Sequence, residues 1–313
     1  MPLYNKAEMS EQAQRYGFLR DTFEKVYRLI KILSYFQSNT LLQKHLVLKG
    51  RTAINLTIFE MPRLSVDIDL DLDYMPNDSK EETQKIREEI SLVIRDYMAD
   101  EGYRLSEQSR FSHSLDAFHY LYQNSSGNTD MIKIELNYSL RAHLFESMQR
   151  EILTNAFGDS IKIQTLDPIE IFAAKANALL TRAAARDLYD FCNMISGNLF
   201  ADNEDVFRKA VVFYASISTE RPDKSFQTEA IDRIGFTKIK RDLFPVLSNR
   251  ETHKYFDLAA EKEMAKAYIQ HLMILMDEEK EYLDRFRRGE YRPELLFSDK
   301  KILMRIEKHP MAL

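Results

Sequence analysis

The stretch that decides the fold is Val66-Asp67-Ile68-Asp69-Leu70-Asp71-Leu72, followed directly by Asp73. Apolar and acidic residues alternate along it, and a period of two predicts a β-strand. Because successive side chains of a strand point to opposite faces, the four aspartates share one face and the aliphatic residues share the other. The pattern therefore predicts a strand with one face in a core and one face of concentrated negative charge.

This acidic face needs positive compensation, because like charges on one face repel and Asp is among the residues most depleted from strands. A hard divalent cation can supply it, since Mg²⁺ is typically held by one or two carboxylates together with substrate phosphate oxygens. The alternative is a solvated edge strand whose charges discourage aggregation, although such strands usually mix in Lys or Thr. An EF-hand loop is excluded, because Leu72 stands where that loop requires Gly.

Upstream of the acidic strand, residues 45–48 are apolar and short, residues 53–59 have a helical pattern, and Lys49-Gly50-Arg51-Thr52 separates the two. A strand, a Gly turn and a helix in this order can present backbone amides to phosphate. If the acidic strand already begins at Arg63, then Arg63 and Ser65 share its charged face and can touch the same phosphates. The alternative for Arg63 is a solvated surface charge.

Downstream, residues 132–138 alternate in the same way and place Lys133, Glu135 and Asn137 on one face of a second strand. If this strand lies beside the acidic strand, Glu135 becomes a third carboxylate of the site. Without that pairing it is a surface residue.

The remaining patterns divide the chain into two parts. A long amphipathic helix is predicted at 10–36, a β-meander at 103–112, 116–123 and 130–139, and one more strand at 160–165. From Asp167 onward the signals are helical, and Asp167, Pro168 and Glu170 suit the N-cap, N1 and N3 positions of a capping box. Further helical patterns lie at 183–195, 204–214, 262–276, 278–287 and 299–308. We therefore expect the α+β class: an α+β domain with a mixed sheet over 1–160, and an α-helical domain over 161–313.

Composition narrows the class of protein. The chain has 313 residues, 44% of them apolar, and a net charge of −5. Its single cysteine, Cys192, excludes a disulfide scaffold. No apolar run approaches the roughly 18 residues that span a bilayer, and residues 1–15 lack the apolar core of a signal peptide. A cytoplasmic protein without a membrane partner is the expectation.

The motifs together resemble a known family. They are Leu48-Lys49-Gly50-Arg51-Thr52-Ala53, the run from Arg63 to Asp71, Lys133-Ile134-Glu135-Leu136, Lys175, Arg182 and Ala185-Arg186-Asp187-Leu188-Tyr189-Asp190. A Gly turn before a helix, an Asp-x-Asp strand and a third acid on a later strand are the layout of the nucleotidyltransferase fold. The full set is similar to the AbiEii-type nucleotidyltransferase toxins of bacterial toxin–antitoxin systems, which include the MenT toxins. One departure is Arg51, where the family commonly has a small residue.

This resemblance implies transfer of a nucleoside monophosphate from an NTP to an acceptor, which for MenT-like members is the 3′ end of tRNA. It implies that Asp67 and Asp69 hold Mg²⁺ against the triphosphate and that Glu135 binds a second Mg²⁺. It also implies a cognate antitoxin as a protein partner. The nucleotide-binding residues it implies are Lys49, Gly50, Arg51, Thr52, Arg63, Ser65 and Lys175.

In the helical domain the resemblance assigns Lys175 to the triphosphate and makes Asp187 an active-site acid that orients Lys175 or assists proton transfer, so that this domain contributes both residues to the cleft. The alternative for Lys175 is a surface lysine whose stem packs on apolar residues. For Asp190 a structural salt bridge is the expectation.

Two other functions use the same residues. One is a metal-dependent phosphodiesterase, and the other is a catalytically silent NTP-binding module, for which the bulky Arg51 is the main support. Two basic clusters can contact RNA phosphates, with solvated faces as the alternative. The first is Lys238, Lys240, Arg241, Arg250 and Lys254, and the second is Arg285, Arg287, Arg288 and Arg292.

Overall fold

The structure is a computed structural model that describes residues 5–73, 80–139, 142–158, 161–218, 226–249, 251 and 256–309. The chain forms two compact units. The first comprises Met1–Arg141, Ser147–Leu166 and Val246–Glu251, and the second comprises Ala142–Glu146, Asp167–Pro245 and Thr252–Leu313. Each unit is thus built from three separate stretches of the chain, and the domain boundary at residue 160 stays a prediction. Arg250 and Lys254 of the first basic cluster lie outside the described residues.

The first unit carries a mixed sheet, as predicted for the α+β class. Its strands are β1 Leu46–Leu48, β2 Asp67–Leu72, β3 Arg104–Leu105, β4 Arg110–Phe111, β5 Leu115–Gln123, β6 Thr129–Asn137, β7 Met148–Glu151 and β8 Lys162–Thr165. Among the described residues the order is β3-β5-β6-β2-β1-β8-β7, and β4 also pairs with β5. The acidic strand β2 is antiparallel to β1 and parallel to β6. It is therefore an interior strand with a neighbour on each side, and the edge-strand alternative is wrong.

The alternation of β2 is explained by burial. Ile68, Leu70 and Leu72 are at most 2% exposed, and Ile134 and Leu136 of β6 are fully buried beside them. The aspartates consequently occupy the opposite face of the sheet. Burial of the aliphatic face fixes the register, because a slip of one residue would place carboxylates in the core.

The helices of the first unit are α1 Lys6–Tyr16, α2 Arg20–Ser38, α3 Thr40–His45, α4 Gly50–Ala53 and α5 Lys80–Asp100. A π-helical turn, Ile54–Ile58, continues α4. The prediction of a single helix over 10–36 is wrong, because α1 ends at Tyr16 and Gly17 separates it from α2. This glycine has φ +76°, and its N–H donates to the carbonyls of Ala13 and Gln14, which ends α1.

The second unit is helical in its described residues. Its main helices are α6 Pro168–Thr181, α7 Ala185–Ser196, α8 Glu204–Ile217, α9 Glu229–Asp232, α10 Phe236–Lys238, α11 Leu258–Leu272, α12 Asp277–Arg287 and α13 Lys300–Ile306. Asp167 caps α6 through the N–H of Ile169, with Pro168 at the first position. No helix in the described part of the chain has both the length and the hydropathy needed to cross a membrane.

Candidate active site

The Gly50 turn joins β1 to α4 and lies against β2. Gly50 has φ +66°, which L side chains rarely adopt, and a Cβ atom there would lie 2.8 Å from Oδ2 of Asp69. The N–H of Lys49 donates to the carbonyl of Asp69 at 2.9 Å, which fixes the turn beside the strand. Glycine is therefore required here for its backbone conformation and for the close approach to a carboxylate.

Replacing Gly50 with Ala should destabilise the protein by roughly 2–3 kcal/mol, because backbone strain adds to a contact with Asp69. Gly127→Ala is the matched control, since Gly127 has φ +81° but nothing within 4 Å of the added Cβ. It should cost only about 1 kcal/mol. Urea unfolding followed by circular dichroism measures both, and equal losses would show that the contact with Asp69 contributes nothing.

The predicted third carboxylate lies beside the acidic strand. In the parallel pairing of β2 with β6, Asp69 is opposite Glu135 and Asp67 is opposite Lys133. The condition that the sequence left open is thus met, and the structure brings Asp67, Asp69 and Glu135 to neighbouring positions of one sheet.

Each acidic residue around Asp69 has a cationic partner. Arg51 Nη2 lies 3.2 Å from Asp67 Oδ2, and Lys133 Nζ lies 2.9 Å from Glu135 Oε1. Lys49 forms a salt bridge with the buried Asp71. Residues of the Gly turn and of β6 therefore supply the compensation that the acidic face requires.

Asp69 differs from its neighbours. Burial raises the pKa of its carboxyl group, the charges of Asp67 and Glu135 raise it further, and Arg51 and Lys49 oppose them. A crowded, desolvated carboxylate gains most from a bound cation, and oxygen donors are what Mg²⁺ prefers. The residues fit such an ion, although no group of three or more His, Cys, Asp or Glu in the described residues is already close enough to hold one. Asp67 and Glu135 are instead engaged by Arg51 and Lys133.

Arg63 and Ser65 precede β2, so the condition under which they would share its charged face is not met. Arg63 forms an isolated bridge with Leu247 and is 0% exposed, which also excludes the solvated-charge alternative. Ser65 is buried, and its hydroxyl oxygen lies within hydrogen-bond distance of Thr52 Oγ1, at 2.9 Å. Thr52 Oγ1 also donates to the carbonyl of Asp67. Thr52 and Ser65 thus tie the Gly turn to the start of the strand, and their contact with phosphate stays a prediction.

In the second unit, Lys175 of α6 and Asp187 of α7 form a buried ion pair. Lys175 Nζ lies 2.9 Å from Asp187 Oδ1 and 3.4 Å from Asp190 Oδ2, and its side chain is only 5% exposed. The surface-lysine alternative is therefore wrong. Arg182 Nε lies 2.8 Å from the other oxygen of Asp187. Burial alone would raise the pKa of the Asp187 carboxyl, but Lys175 and Arg182 outweigh it and hold that pKa well below its usual range.

This lowered pKa predicts a pH dependence of stability. The unfolded Asp187 titrates near its ordinary pKa of about 3.9, so its ion pairs stabilise the fold above that pH and are lost as the pH falls towards the lower folded-state value. The difference in unfolding free energy between wild type and Asp187→Asn should be constant from about pH 7 to 5 and shrink below about pH 4. Urea titrations at successive pH values measure it, and a difference independent of pH would contradict the assignment.

Glu170 has a role that the sequence did not indicate. The capping box expected for it is wrong: its carboxylate accepts hydrogen bonds from the N–H groups of Leu144 and Phe145, at 2.6 and 3.2 Å, and from Tyr214 Oη. Burial raises its pKa. These partners are distant in sequence, so no local pattern could have found them.

The two basic clusters differ in their partners. In the second cluster Arg285 pairs with Glu281 and Glu290, Arg287 pairs with Asp284, and Arg292 pairs with Glu294. In the first, Lys238 and Lys240 form no ion pair within the described residues. The second cluster is thus largely a network of opposite charges, whereas in the described part of the first cluster Arg241 alone forms an ion pair, with Asp242.

Comparison with known proteins identifies the family. The sequence model of the family described as "Nucleotidyl transferase AbiEii toxin, Type IV TA system" matches residues 31–262. The chain belongs to the AbiEii family. It is therefore a nucleotidyltransferase of a toxin family, and membership of a toxin–antitoxin system implies an antitoxin partner and an NTP substrate.

A solved structure supports the fold. The nucleotidyltransferase toxin MenT4 from Mycobacterium tuberculosis is similar, with a TM-score of 0.65, 17% sequence identity and alignment over 91% of this chain and 96% of that chain. At this identity the likeness concerns the fold alone. None of the curated protein sequences compared with the chain matches it.

Proposed function

We propose that this AbiEii family member transfers a nucleoside monophosphate from an NTP to an RNA acceptor, of which tRNA is the first candidate, in a Mg²⁺-dependent reaction in the cytoplasm. The observation that carries the proposal is the register of β2 on β6, which puts Asp69 beside Glu135. The Gly50 turn lies against the Asp69 carboxylate and adds backbone amides that can bind phosphate.

Asp67, Asp69 and Glu135 would hold two Mg²⁺ ions, which would supply charge stabilisation to the entering and leaving oxygens. The chain's own groups prepare this site. Lys49, Arg51 and Thr52 belong to the turn, and the Arg51 guanidinium that now pairs with Asp67 can bind two oxygens of one phosphate group. Ser65 and the buried Arg63 support the segment before β2.

Lys175 would bind the triphosphate through its ammonium group. Asp187 supports this role, since its carboxylate holds the ammonium at 2.9 Å. Of the two roles open to Asp187, orientation of Lys175 is the one that the contact favours. Asp190 is a second, longer-range partner of the same ammonium.

Incubating the purified protein with tRNA, Mg²⁺ and each α-labelled NTP in turn tests the proposal. Label should pass to RNA with one or more NTPs, disappear with EDTA, return with added Mg²⁺, and be absent for Asp67→Ala and Lys175→Ala. RNA shortening without label would favour a phosphodiesterase. NTP binding without turnover would favour the silent module, for which the pairing of Arg51 with Asp67 is the specific observation.

A growth assay tests the toxin role. Expression of the wild type should arrest growth, and co-expression of the protein from the neighbouring reading frame should relieve the arrest if that protein is the antitoxin. Equal growth of cells with the wild type and with Asp69→Ala would remove the basis of the toxin role.

A further inference from the structure

An exposed basic segment of the second unit stands out from the other charged surfaces. Residues 233–241, with the sequence Arg-Ile-Gly-Phe-Thr-Lys-Ile-Lys-Arg, contain four cations and no carboxylate. We call this stretch the basic segment. Arg233, Lys240 and Arg241 are exposed and Lys238 is half-buried, whereas Ile234 and Ile239 are fully buried. The apolar residues thus anchor the segment and turn its cations outward.

The cations of the basic segment differ in their ion pairs. Arg241 pairs with Asp242, but Arg233, Lys238 and Lys240 form no ion pair in the part of the chain that the structure describes. Asp232, the nearest acidic residue before the segment, is already engaged by Lys266 at 3.2 Å. Within the described residues the segment therefore carries positive charge that is not paired with carboxylates, which suits an anionic partner.

The same segment exposes an aromatic ring. Phe236 is 47% exposed, and its ring packs edge-on against Phe244 with the centroids 5.9 Å apart. The Lys240 ammonium lies 5.1 Å from the centroid of the Phe236 ring. A supported, exposed ring among cations is the combination that binds single-stranded nucleic acid, because bases stack on the ring while cations bind the phosphates.

The backbone of the segment is fixed to the helix that carries Asp187. Residues Ile239–Leu243 form a π-helical turn, and Arg186 Nε donates to the carbonyl of Asp242 at 2.7 Å. Arg186 directly precedes Asp187 in the first turn of α7. The segment is therefore attached, within the second unit, to the helix end that forms the ion pair with Lys175.

We propose that the basic segment binds single-stranded RNA, with Phe236 stacking on a base and Lys238 and Lys240 contacting phosphates. This proposal rests on the RNA acceptor of the proposed function and gives it a binding surface. An unpaired strand is favoured over a duplex because the ring can stack only on a base that is free to leave its neighbours. A protein partner is less favoured. Carboxylates on a protein surface could pair with these cations, but such a surface offers no base on which the Phe236 ring could stack.

The test measures RNA affinity in the absence of NTP and Mg²⁺, by fluorescence anisotropy of a labelled single-stranded oligonucleotide and of tRNA. Lys238→Glu/Lys240→Glu should weaken binding at least about 10-fold and flatten the salt dependence, because each lost phosphate contact reduces the slope of log K against log salt by about 0.7 for single strands. Phe236→Ala should weaken binding about 5- to 100-fold with the salt slope unchanged, and Phe236→Trp should restore it.

Two matched controls exclude general effects of charge and apolar surface. Lys300→Glu/Lys301→Glu changes the net charge equally on the exposed start of α13, and Met304→Ala removes an apolar side chain that is 67% exposed. Both should bind RNA like the wild type. Circular dichroism confirms that the variants are folded.

The outcomes separate this inference from the proposed function. If wild type labels RNA but the segment variants bind it as tightly as the controls do, the surface is overturned while the enzymatic proposal stands. If the variants keep RNA binding but lose an acidic antitoxin, the segment is a protein contact and the inference is overturned. If the wild type neither labels RNA nor binds it, the proposal of an RNA acceptor is itself contradicted, and the basic segment has no RNA to bind.

Discussion

Replacing Asp69 with Asn is expected to lower nucleotidyl transfer by about 1000-fold or more, equivalent to roughly 4 kcal/mol of transition-state stabilisation. Asp69 lies between the Gly50 turn on one side and Glu135 on the other. An amide is isosteric with the carboxylate but neutral, so the variant keeps the shape of the site and loses the charge that would hold Mg²⁺. Initial rates with the preferred NTP measure the loss.

Stability should change in the opposite direction. Burial and the neighbouring carboxylates raise the folded-state pKa of Asp69 above its unfolded value, so stability falls as the pH rises through that interval and the ionised group is unfavourable at neutral pH. Asn removes this cost. We therefore expect Asp69→Asn to unfold at an equal or higher urea concentration than the wild type, so that the loss of activity cannot be attributed to unfolding.

Asp73→Asn is the matched control. Asp73 belongs to the same acidic series but follows β2, and its carboxylate accepts a hydrogen bond of 2.5 Å from Ser147 Oγ. Its replacement should reduce transfer less than about 10-fold, because Asp73 is not among the three carboxylates proposed to hold Mg²⁺. Comparable losses for both variants would mean that the acidic strand acts through its total charge and that Asp69 has no special role.

The central part of the fold could be predicted from sequence because its signals are local. The alternation in 66–72 specified β2 and its buried face, and the pattern in 132–138 specified β6. The sequence did not show that these two strands are neighbours, because their pairing depends on contacts between residues more than 60 positions apart. The register then brought Glu135 to Asp69.

Other features depend on non-local contacts and left little local trace. Strand β7, Met148–Glu151, was not predicted because only its pairing with β8 defines it. For Arg63 the sequence left both a phosphate contact and a surface charge open, and its burial beside the bridge to Leu247 depends on residues far away in sequence. Glu170 matched a capping box, but the amides of residues 144 and 145 compete for its carboxylate. The break at Gly17 is different, since a glycine after a periodic segment is itself a stop signal for a helix.

The largest loss of stability is expected for Lys175→Met. Lys175 and Asp187 are both nearly inaccessible to water, at 5% and 1% exposure. Removing one member of a buried pair leaves an uncompensated charge, which typically costs roughly 3–5 kcal/mol. In this variant Asp187 keeps Arg182, but Asp190 loses its contact with the ammonium, so the value should lie within that range.

A double-mutant cycle shows that the pair, and not the lysine alone, is responsible. Asp187→Asn also weakens the pair, but in Lys175→Met/Asp187→Asn one of the buried carboxylates is gone, so the double variant should lose at least about 1 kcal/mol less than the sum of the single losses. Arg182→Gln is the comparison on the exposed side: this side chain is 57% exposed, and its removal should cost about 1 kcal/mol or less. Circular dichroism follows urea unfolding, since the chain has no Trp.

Measuring nucleotidyl transfer in the same variants distinguishes a structural role of Lys175 from a role in binding the triphosphate. If Lys175 binds the triphosphate, the double variant should remain inactive even where its stability approaches that of Asp187→Asn, because a neutral side chain cannot replace the ammonium. If instead transfer recovers together with stability, the pair is only a structural connection between α6 and α7. If the two single losses of stability are additive, the contact of 2.9 Å between Lys175 and Asp187 contributes no coupling energy. That result would also contradict the orienting role of Asp187.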